Sequence, residues 1–424
     1  MCFCIPVPRF LRQNRILLRI GEVIERFDLH ALGFLILVCG FPLFQVLEHP
    51  TAWLFCVCVI VLLLFAILAL CRDEILLDVC DLLVLAFLAL QFLYGMIGKG
   101  RFTDALTVVM LAAAWFPARR FFEDGGEKHW IFLSSLSLLI VSAIGVGEYL
   151  LGKAELRWVD TARFGDIGGR VTSLFSNPNI LAVYLLLCFP FSFWAIFKKP
   201  TRRRARLFYA ATAILCALCI IFTWSRGAWL GLFLECFLFL LFHGKKSRTA
   251  IFGLLPAVLL SLPLLPHSLQ NRLFSIGDVR ESSNRYRLQT WRGTWKMLCE
   301  HPFGIGIGED AWRAVYPHYA VSGTKTVPHA HNIFLQVMAE VGIIGLLLLL
   351  IILFFLIRNS FQKRQLAAFA AISGTLVMGT FDHLWYFAGM LLPFWTVLAF
   401  CSPKRTKNSK KKPVCGYFAR KAIS

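Results

Sequence analysis

About twelve apolar runs, most of them roughly long enough to cross a bilayer as a helix, divide this chain. They lie near 30–48, 51–71, 76–97, 103–118, 130–151, 178–197, 207–224, 227–242, 250–266, 332–357, 366–381 and 385–401. A chain built this way reads as an all-α polytopic membrane protein of about twelve transmembrane helices. Composition agrees: of 424 residues, 58% are apolar and 16% charged, against about 25% charged in soluble domains. The mean hydropathy is +0.69. These figures exclude disorder, collagen and a small disulfide scaffold. The 14 cysteines show neither a disulfide framework nor zinc spacing. Most, such as Cys56, Cys58, Cys71, Cys188, Cys216 and Cys219, sit in apolar runs and read as small reduced hydrophobes. Cys2 and Cys4 lie in a basic N-terminus without a signal-peptide h-region or cleavage site.

The net charge of +20, from 44 Lys and Arg against 24 Asp and Glu, would suggest nucleic acid on a soluble protein. Here no nucleic acid is expected, because the basic residues gather in short connections as the positive-inside rule requires. The clusters are Arg9 to Arg19, Arg119 and Arg120, Lys198 to Arg206, Lys245 to Arg248, Arg358 to Arg364, and a tail from Lys404 to Lys412. All fall on one side if both termini are cytoplasmic. The strained stretch is 71–101, where Arg72 is offset by Asp73 and Glu74, and Lys99 and Arg101 land outside. Asp78 and Asp81 read as the end of a span. The organisation expected is a basic cytoplasmic N-terminus (1–29), nine helices (30–266), a large extracytoplasmic loop (267–330), three helices (331–401) and a basic cytoplasmic tail (402–424).

Only two outer connections can hold a site. One, Gly152 to Asn177, contains Arg157, Asp160, Arg163, Asp166 and Arg170; the other, His267 to Ala330, carries five of the ten histidines if His331 is counted. Long loops in compact proteins are usually functional. Internal repeats are not visible, which disfavours inverted-repeat transporters.

The sharpest string runs from Pro328 to Leu350. Pro328 can open a helix, so His329 and His331 are expected in its first turn, where the helix dipole favours an anion and a neutral imidazole. Gly342 and Gly345, about three turns on, are expected to let a neighbouring helix approach closely. A second string, Thr223 to Gly231, puts Arg226 between two apolar runs, where an arginine seeks an anion or a carboxylate or snorkels to lipid phosphate. A third, Ser283 to Trp312, reads as an amphipathic interfacial helix with Tyr286, Trp291, Trp295 and Leu298 at helical spacing. It is followed by a flexible turn at Gly304, Gly306 and Gly308. A phosphate-binding glycine loop fits poorly there, because the strand and helix context of nucleotide motifs is missing.

Together the three strings resemble the O-antigen ligase and O-antigen polymerase family of bacterial envelope glycan enzymes. The resemblance rests on His331 and Asn332 followed by Gly342 and Gly345, on Ser225-Arg226-Gly227, on Tyr286-Arg287 with Trp291, on His301-Pro302 with Gly304 and Gly306, and on Asn177-Pro178-Asn179. It covers roughly Gly169 to Leu350, and ligases and polymerases share it. It implies a GT-C-like, metal-independent glycosyltransferase of the bacterial plasma membrane with its site outside and no cofactor. The implied partners are an undecaprenyl-pyrophosphate-linked glycan donor, a glycan or lipid-linked hydroxyl acceptor, and the lipid bilayer. His331 would be the general base. Arg226 and Arg287 would hold the departing pyrophosphate, with Arg170 and His329 as lesser candidates, and Asn332 would orient His331 or cap its helix.

A metal held by His329, His331 and His318 is the bland alternative. It is disfavoured because an H-x-H pair diverges on a helix and no acidic ligand lies close in sequence. Glu235 and Glu340, within expected spans, invite ion coupling but read more simply as satisfied polar contacts. The competing function is a polysaccharide or lipid-linked-sugar transporter or flippase without covalent chemistry. Such a protein would concentrate polar groups at the midplane, whereas this one gathers His, Arg and Trp at its outer end.

Overall fold

The computed structural model describes residues 2–45, 50–72, 74–158, 169–198, 202–245, 249, 260, 262–322, 327–362, 365–383 and 388–405. Most of the span expected at 250–266, the charged stretch 159–168 and the basic tail from 406 lie outside these residues. The N-terminal half comprises β1 (Cys2–Pro6), α1 (Arg9–Arg12), α2 (Arg15–Arg26), α3 (Leu29–Cys39), α4 (Phe41–Phe44), α5 (Pro50–Leu70), β2 (Glu74–Asp78), α6 (Val79–Ile97), α7 (Phe102–Ala112), α8 (Trp115–Glu123) and α9 (Glu127–Leu150). There follow α10 (Pro178–Phe197), α11 (Arg203–Phe222), α12 (Arg226–His243), α13 (His267–Phe274), α14 (Ser282–Glu300), α15 (Glu309–Val315), α16 (Ile333–Gln362), α17 (Leu366–Gly379) and α18 (Ala388–Phe400).

Among the described residues, 8 segments are long and apolar enough to cross a membrane. They are α5 from Trp53, α6, the α7–α8 pair, α9, α10, α11, α12 and α16. The α17 and α18 helices are apolar but shorter. The chain is therefore an α-helical polytopic membrane protein, with three departures from the pattern expected. The first span is not one helix: α3 stops at Cys39 and α4 begins at Phe41, where Pro42 has no N–H to continue the hydrogen-bond ladder of α3. The fourth is two helices joined at Ala113–Ala114. The third begins later than the hydropathy suggests, since Ile75, Leu76 and Leu77 form a strand. Strand β2 pairs antiparallel with β1, Cys2 opposite Asp78 and Pro6 opposite Glu74, so the fold is not strictly all-α. Short apolar runs do not distinguish strand from helix by periodicity.

Helix α10 is the centre of the bundle. It is apolar all round, as buried helices are, and every residue from Ile180 to Ser192 is buried. Helices α9, α11, α12, α17 and α18 pack about it. At the β1–β2 end, the positive-inside reading of Arg119 as a loop charge fails. Its guanidinium is wholly buried, with Nη1 2.8 Å from Asp78 Oδ1 and 2.7 Å from Asp81 Oδ1. Nη2 donates to the Pro403 carbonyl at 2.7 Å, and Arg405 closes the network on Asp81 at 3.1 Å. Asp78 and Asp81 also form a capping box on α6, as expected of residues that end a span. Removing one partner of such a buried set costs about 3–5 kcal/mol. Helix α6, about 28 Å long by its residue count, leads from this network to Gly98 and Lys99. There Lys99 N–H donates to the Ile305 carbonyl at 3.2 Å, so the sheet and the loop described next lie at opposite ends of α6.

Candidate functional site

At that second end, α16 breaks. Val341 (φ −119°, ψ 15°) and Gly342 (φ 72°, ψ −175°) are non-helical, and the 302–306 loop occupies the break. Ile305 N–H donates to Ala339 O at 2.8 Å, Gly306 N–H to Glu340 O at 3.1 Å, and Ile343 N–H to Pro302 O at 2.9 Å. Backbone groups freed inside a membrane helix need such partners. Gly342 is required twice over: its φ is left-handed, and a Cβ there would sit 2.5 Å from the Phe303 carbonyl carbon. The contact expected for Gly342, helix against helix, is thus loop against helix, whereas Gly345 meets Leu90 of α6, the helix approach expected of it. Gly304 and Gly306 (φ 94° and 106°) form a tightly seated loop, not a flexible turn.

The histidines precede the helix; they do not lie in its first turn. Asn332 is the cap, its Oδ1 accepting from Phe334 N–H at 2.9 Å and Leu335 N–H at 3.0 Å. Asn332 Nδ2 donates to Thr380 O at 3.0 Å, pinning this helix start to the segment after α17. His331 takes a left-handed backbone (φ 49°), and the turn brings the rings of His329 and His331 to 4.3 Å between centroids. An H-x-H pair outside a helix does not diverge.

His331 Nδ1 lies 3.1 Å from Asp382 Oδ1. The carboxylate can only accept, so Nδ1 carries a proton, and in the neutral imidazole this tautomer puts the lone pair on Nε2. Asp382 is itself fixed: Oδ1 also accepts from His383 N–H at 2.8 Å, and Oδ2 from Asn179 Nδ2 at 2.5 Å. Burial alone would raise the Asp382 carboxyl, but the hydrogen bond from His331 and the nearby Arg287 guanidinium hold it well below the usual range. Burial, reinforced by His331, lowers His329 to about 3. Burial also pushes His383 well below its usual value. Neither of these two adds a titration step near neutrality.

Asp382 leads into a cavity of about 80 Å³ walled by Arg170, Arg226, Arg272 and Arg287. The first residues of three helices line it as well: Asn179 of α10, Arg226 and Gly227 of α12, and Ser283 and Asn284 of α14. Asn179 N–H and Asn284 N–H are already taken by the caps Asn177 and Glu281, each at 2.8 Å, so it is the positive dipole ends of the helices together with the four guanidinium groups that favour an anion in the cavity. Each arginine is anchored. Arg170 Nε donates to Thr223 O at 2.6 Å and Nη2 to Asn179 Oδ1 at 2.7 Å. Burial and Arg272 lower it to about 9, so it is still charged at neutral pH. Arg287 Nε donates to Phe381 O at 2.7 Å. Arg272 reaches Trp224 O at 3.3 Å, so Arg170 and Arg272 satisfy carbonyls at the break between α11 and α12. Arg226 is not a free clamp: Nη2 pairs with buried Glu281 at 2.9 Å, and Nη1 donates to Ser275 O and Oγ at 3.0 Å.

The structure thus gathers His331, His329, Asn332, Arg170, Arg226 and Arg287 at one end, and leaves Gly342 and Gly345 as supports further along α16. Sequence reading missed Asp382, Glu281 and Arg272. Asp382 carried a signal, as an ionisable residue between two apolar runs is functional by default. The metal alternative also gains ground, since His329, His331 and Asp382 present ligand atoms within 4.8 Å of one another, and Asp382 is the acidic ligand absent from the local sequence.

This arrangement defines a membrane protein with an anion cavity beside a carboxylate-oriented imidazole. Residues 210–350 match the family model described as O-antigen ligase, so this third of the chain is similar to that family. Among its relatives, the teichuronic acid biosynthesis protein TuaE of Bacillus subtilis is 27% identical over 186 residues, 41% of this chain and 37% of that protein. The ComP-specific O-oligosaccharyltransferase of Acinetobacter baylyi is 28% identical over 263 residues, 57% of this chain and 45% of that protein. The chain thus spans less than half the length of either relative.

Proposed function

We propose that the protein is a glycosyltransferase of envelope polysaccharide assembly, moving a glycan from an undecaprenyl-pyrophosphate carrier to a hydroxyl acceptor at the outer face of the plasma membrane. The observation that carries this reading is the juxtaposition of the four-arginine cavity with the His331–Asp382 pair. The match of residues 210–350 to the O-antigen ligase model and the named activities of the two relatives, teichuronic acid biosynthesis and oligosaccharide transfer, support the same class. A flippase needs no oriented imidazole beside its anion site.

In the reaction, the donor diphosphate sits among Arg170, Arg272 and Arg287, with Arg226 and the helix ends of α10, α12 and α14 behind them. His331 Nε2 takes the proton of the acceptor hydroxyl as its oxygen bonds to the anomeric carbon. The bond from that carbon to the diphosphate oxygen breaks, and the electron pair leaves with the lipid diphosphate. Asp382 stabilises the imidazolium that forms. Guanidinium groups match the growing negative charge on the leaving oxygen.

The base reading is preferred to a metal because Asp382 already accepts three hydrogen bonds and His331 Nδ1 is engaged as a donor. Purified protein should therefore transfer lipid-linked glycan at an unchanged rate in excess chelator. Loss of turnover that zinc restores would move the assignment to a metal centre at His329, His331 and Asp382.

Sidedness has its own test. Cys299, in the last turn of α14 just before the 302–306 loop, is exposed, and Cys4 in β1 is exposed at the opposite end of α6. A membrane-impermeant maleimide applied to whole cells should modify Cys299 and spare Cys4, as read by peptide mass spectrometry. The reverse pattern would turn the site to the cytoplasm.

A further inference from the structure

We propose that α2 is an interfacial helix whose apolar stripe lies in an anionic lipid leaflet, a docking site independent of the glycan-transfer reading. Its residues divide into four stripes at about 100° per residue. Leu17, Gly21 and Ile24 face the bundle: Gly21 and Ile24 are buried, Cys71 Sγ donates to Leu17 O at 3.4 Å, and a Cβ at Gly21 would meet Cys71 Sγ at 2.6 Å. Roughly a quarter-turn round, Ile16, Ile20, Val23 and Phe27 form a continuous stripe that stays 72%, 43%, 50% and 61% exposed. Surface apolar residues scattered singly need no explanation, but a row at i, i+4, i+7 and i+11 does.

The charges are sorted round the same helix. Glu22 and Glu25 occupy the side most distant from the apolar stripe, and both act electrostatically on Cys71. Arg15, Arg19 and Arg26, all exposed, fill the sector between the acids and the stripe, with the Arg26 guanidinium 5.6 Å from the Phe27 ring centroid. The exposed apolar side chains thus point one way, arginines sideways and away from the bundle, and acids away from the stripe, with half-buried Leu18 between them. That distribution matches a helix lying in the plane of a membrane, arginines level with phosphates and acids in water. A protein partner would not require the arginines to border the apolar row on the side facing away from the bundle.

The surroundings agree. Asp28, in a left-handed conformation (φ 50°), separates α2 from α3, so the two helices need not share an axis. Phe3, Ile5 and Phe10, just before α2, are 44%, 49% and 72% exposed. This is the end of the molecule that carries β1, β2 and the buried Arg119 network. Each basic residue at an anionic leaflet raises binding about five-fold, so three arginines and four apolar side chains make a substantial anchor.

The test uses the full chain in nanodiscs of phosphatidylethanolamine with or without phosphatidylglycerol. A genetically encoded fluorescent amino acid replaces Val23 in one variant and Glu22 in another. Acyl-brominated lipid should quench the probe at 23 at least three-fold more than at 22, while aqueous iodide should show the opposite order. Arg15→Gln, Arg19→Gln and Arg26→Gln together should abolish any increase in quenching at 23 caused by phosphatidylglycerol. Iodide quenching alike at both positions would overturn the proposal. So would a probe at 23 shielded from iodide yet untouched by brominated lipid, which would mean that a protein covers the stripe.

Discussion

His331→Ala should lower turnover by about 10²- to 10⁴-fold, the usual contribution of a general base, while lipid-linked donor still binds. Asp382→Asn should fall in the same range. An amide at 382 no longer stabilises the imidazolium, and its NH₂ group can hold the ring in the tautomer with Nε2 protonated and unable to accept. A change of that kind in a serine-protease triad costs about 10⁴-fold. Asp382→Glu should recover part of the loss. The pH dependence of stability carries a further signature. Because the Asp382 carboxyl is held below its unfolded value of about 3.9, its stabilisation is complete above that value and is lost as pH falls through the folded value. Asp382→Asn should therefore lower stability at neutral pH and flatten its acid side, as read by thermal unfolding in detergent between pH 3 and pH 7. Near-normal transfer by Asp382→Asn would remove the imidazole-orienting role, and a large loss of donor binding in His331→Ala would make His331 a ligand-binding group.

How legible this was differs between the fold and the site. Spans such as α9, α10 and α12 follow directly from unbroken apolar runs, because a bilayer sets the length of a helix that crosses it. The pairing of β1 with β2 was hidden: Ile75 to Leu77 is apolar in either conformation, and its partner lies some seventy residues away. Arg119 looked like a loop charge because sequence neighbours do not reveal that Asp78, Asp81 and Arg405 converge on it. At the site, His331 and Asn332 were recognisable from family spacing and Arg226 and Arg287 from their family positions. The reason they work together was not, since it depends on Asp382, 51 residues from His331, and on three helix starts meeting at one cavity. Gly342 was singled out for the right position and the wrong partner. Spacing marks a glycine, but only the fold shows that a loop crosses there.

The arginines are expected to separate into two kinds. Among the described residues, Arg287 is anchored through a backbone carbonyl and Ser283, with Nε on Phe381 O and Nη1 on Ser283 Oγ at 2.5 Å. Arg287→Ala should therefore cost mainly turnover, about 2.7–4 kcal/mol by comparison with loss of an oxyanion donor, at normal membrane abundance. Arg287→Lys keeps the charge without the planar fork and should restore transfer only in part. Arg226→Ala should differ in kind, because it strands Glu281 in a buried site, at a cost of about 3–5 kcal/mol in stability. Reduced abundance is expected for it, with recovery on adding Glu281→Gln. Transfer by that double variant then measures the contact of Arg226 with the diphosphate free of the folding defect. Arg285 and Arg292, exposed on α14 and outside the cavity lining, should tolerate alanine with little loss. Equal small losses across Arg226, Arg285, Arg287 and Arg292 would replace the specific diphosphate site with a diffuse basic surface. Full transfer by the Arg226→Ala, Glu281→Gln double would leave Arg226 a structural ion pair and assign the diphosphate to Arg170, Arg272 and Arg287.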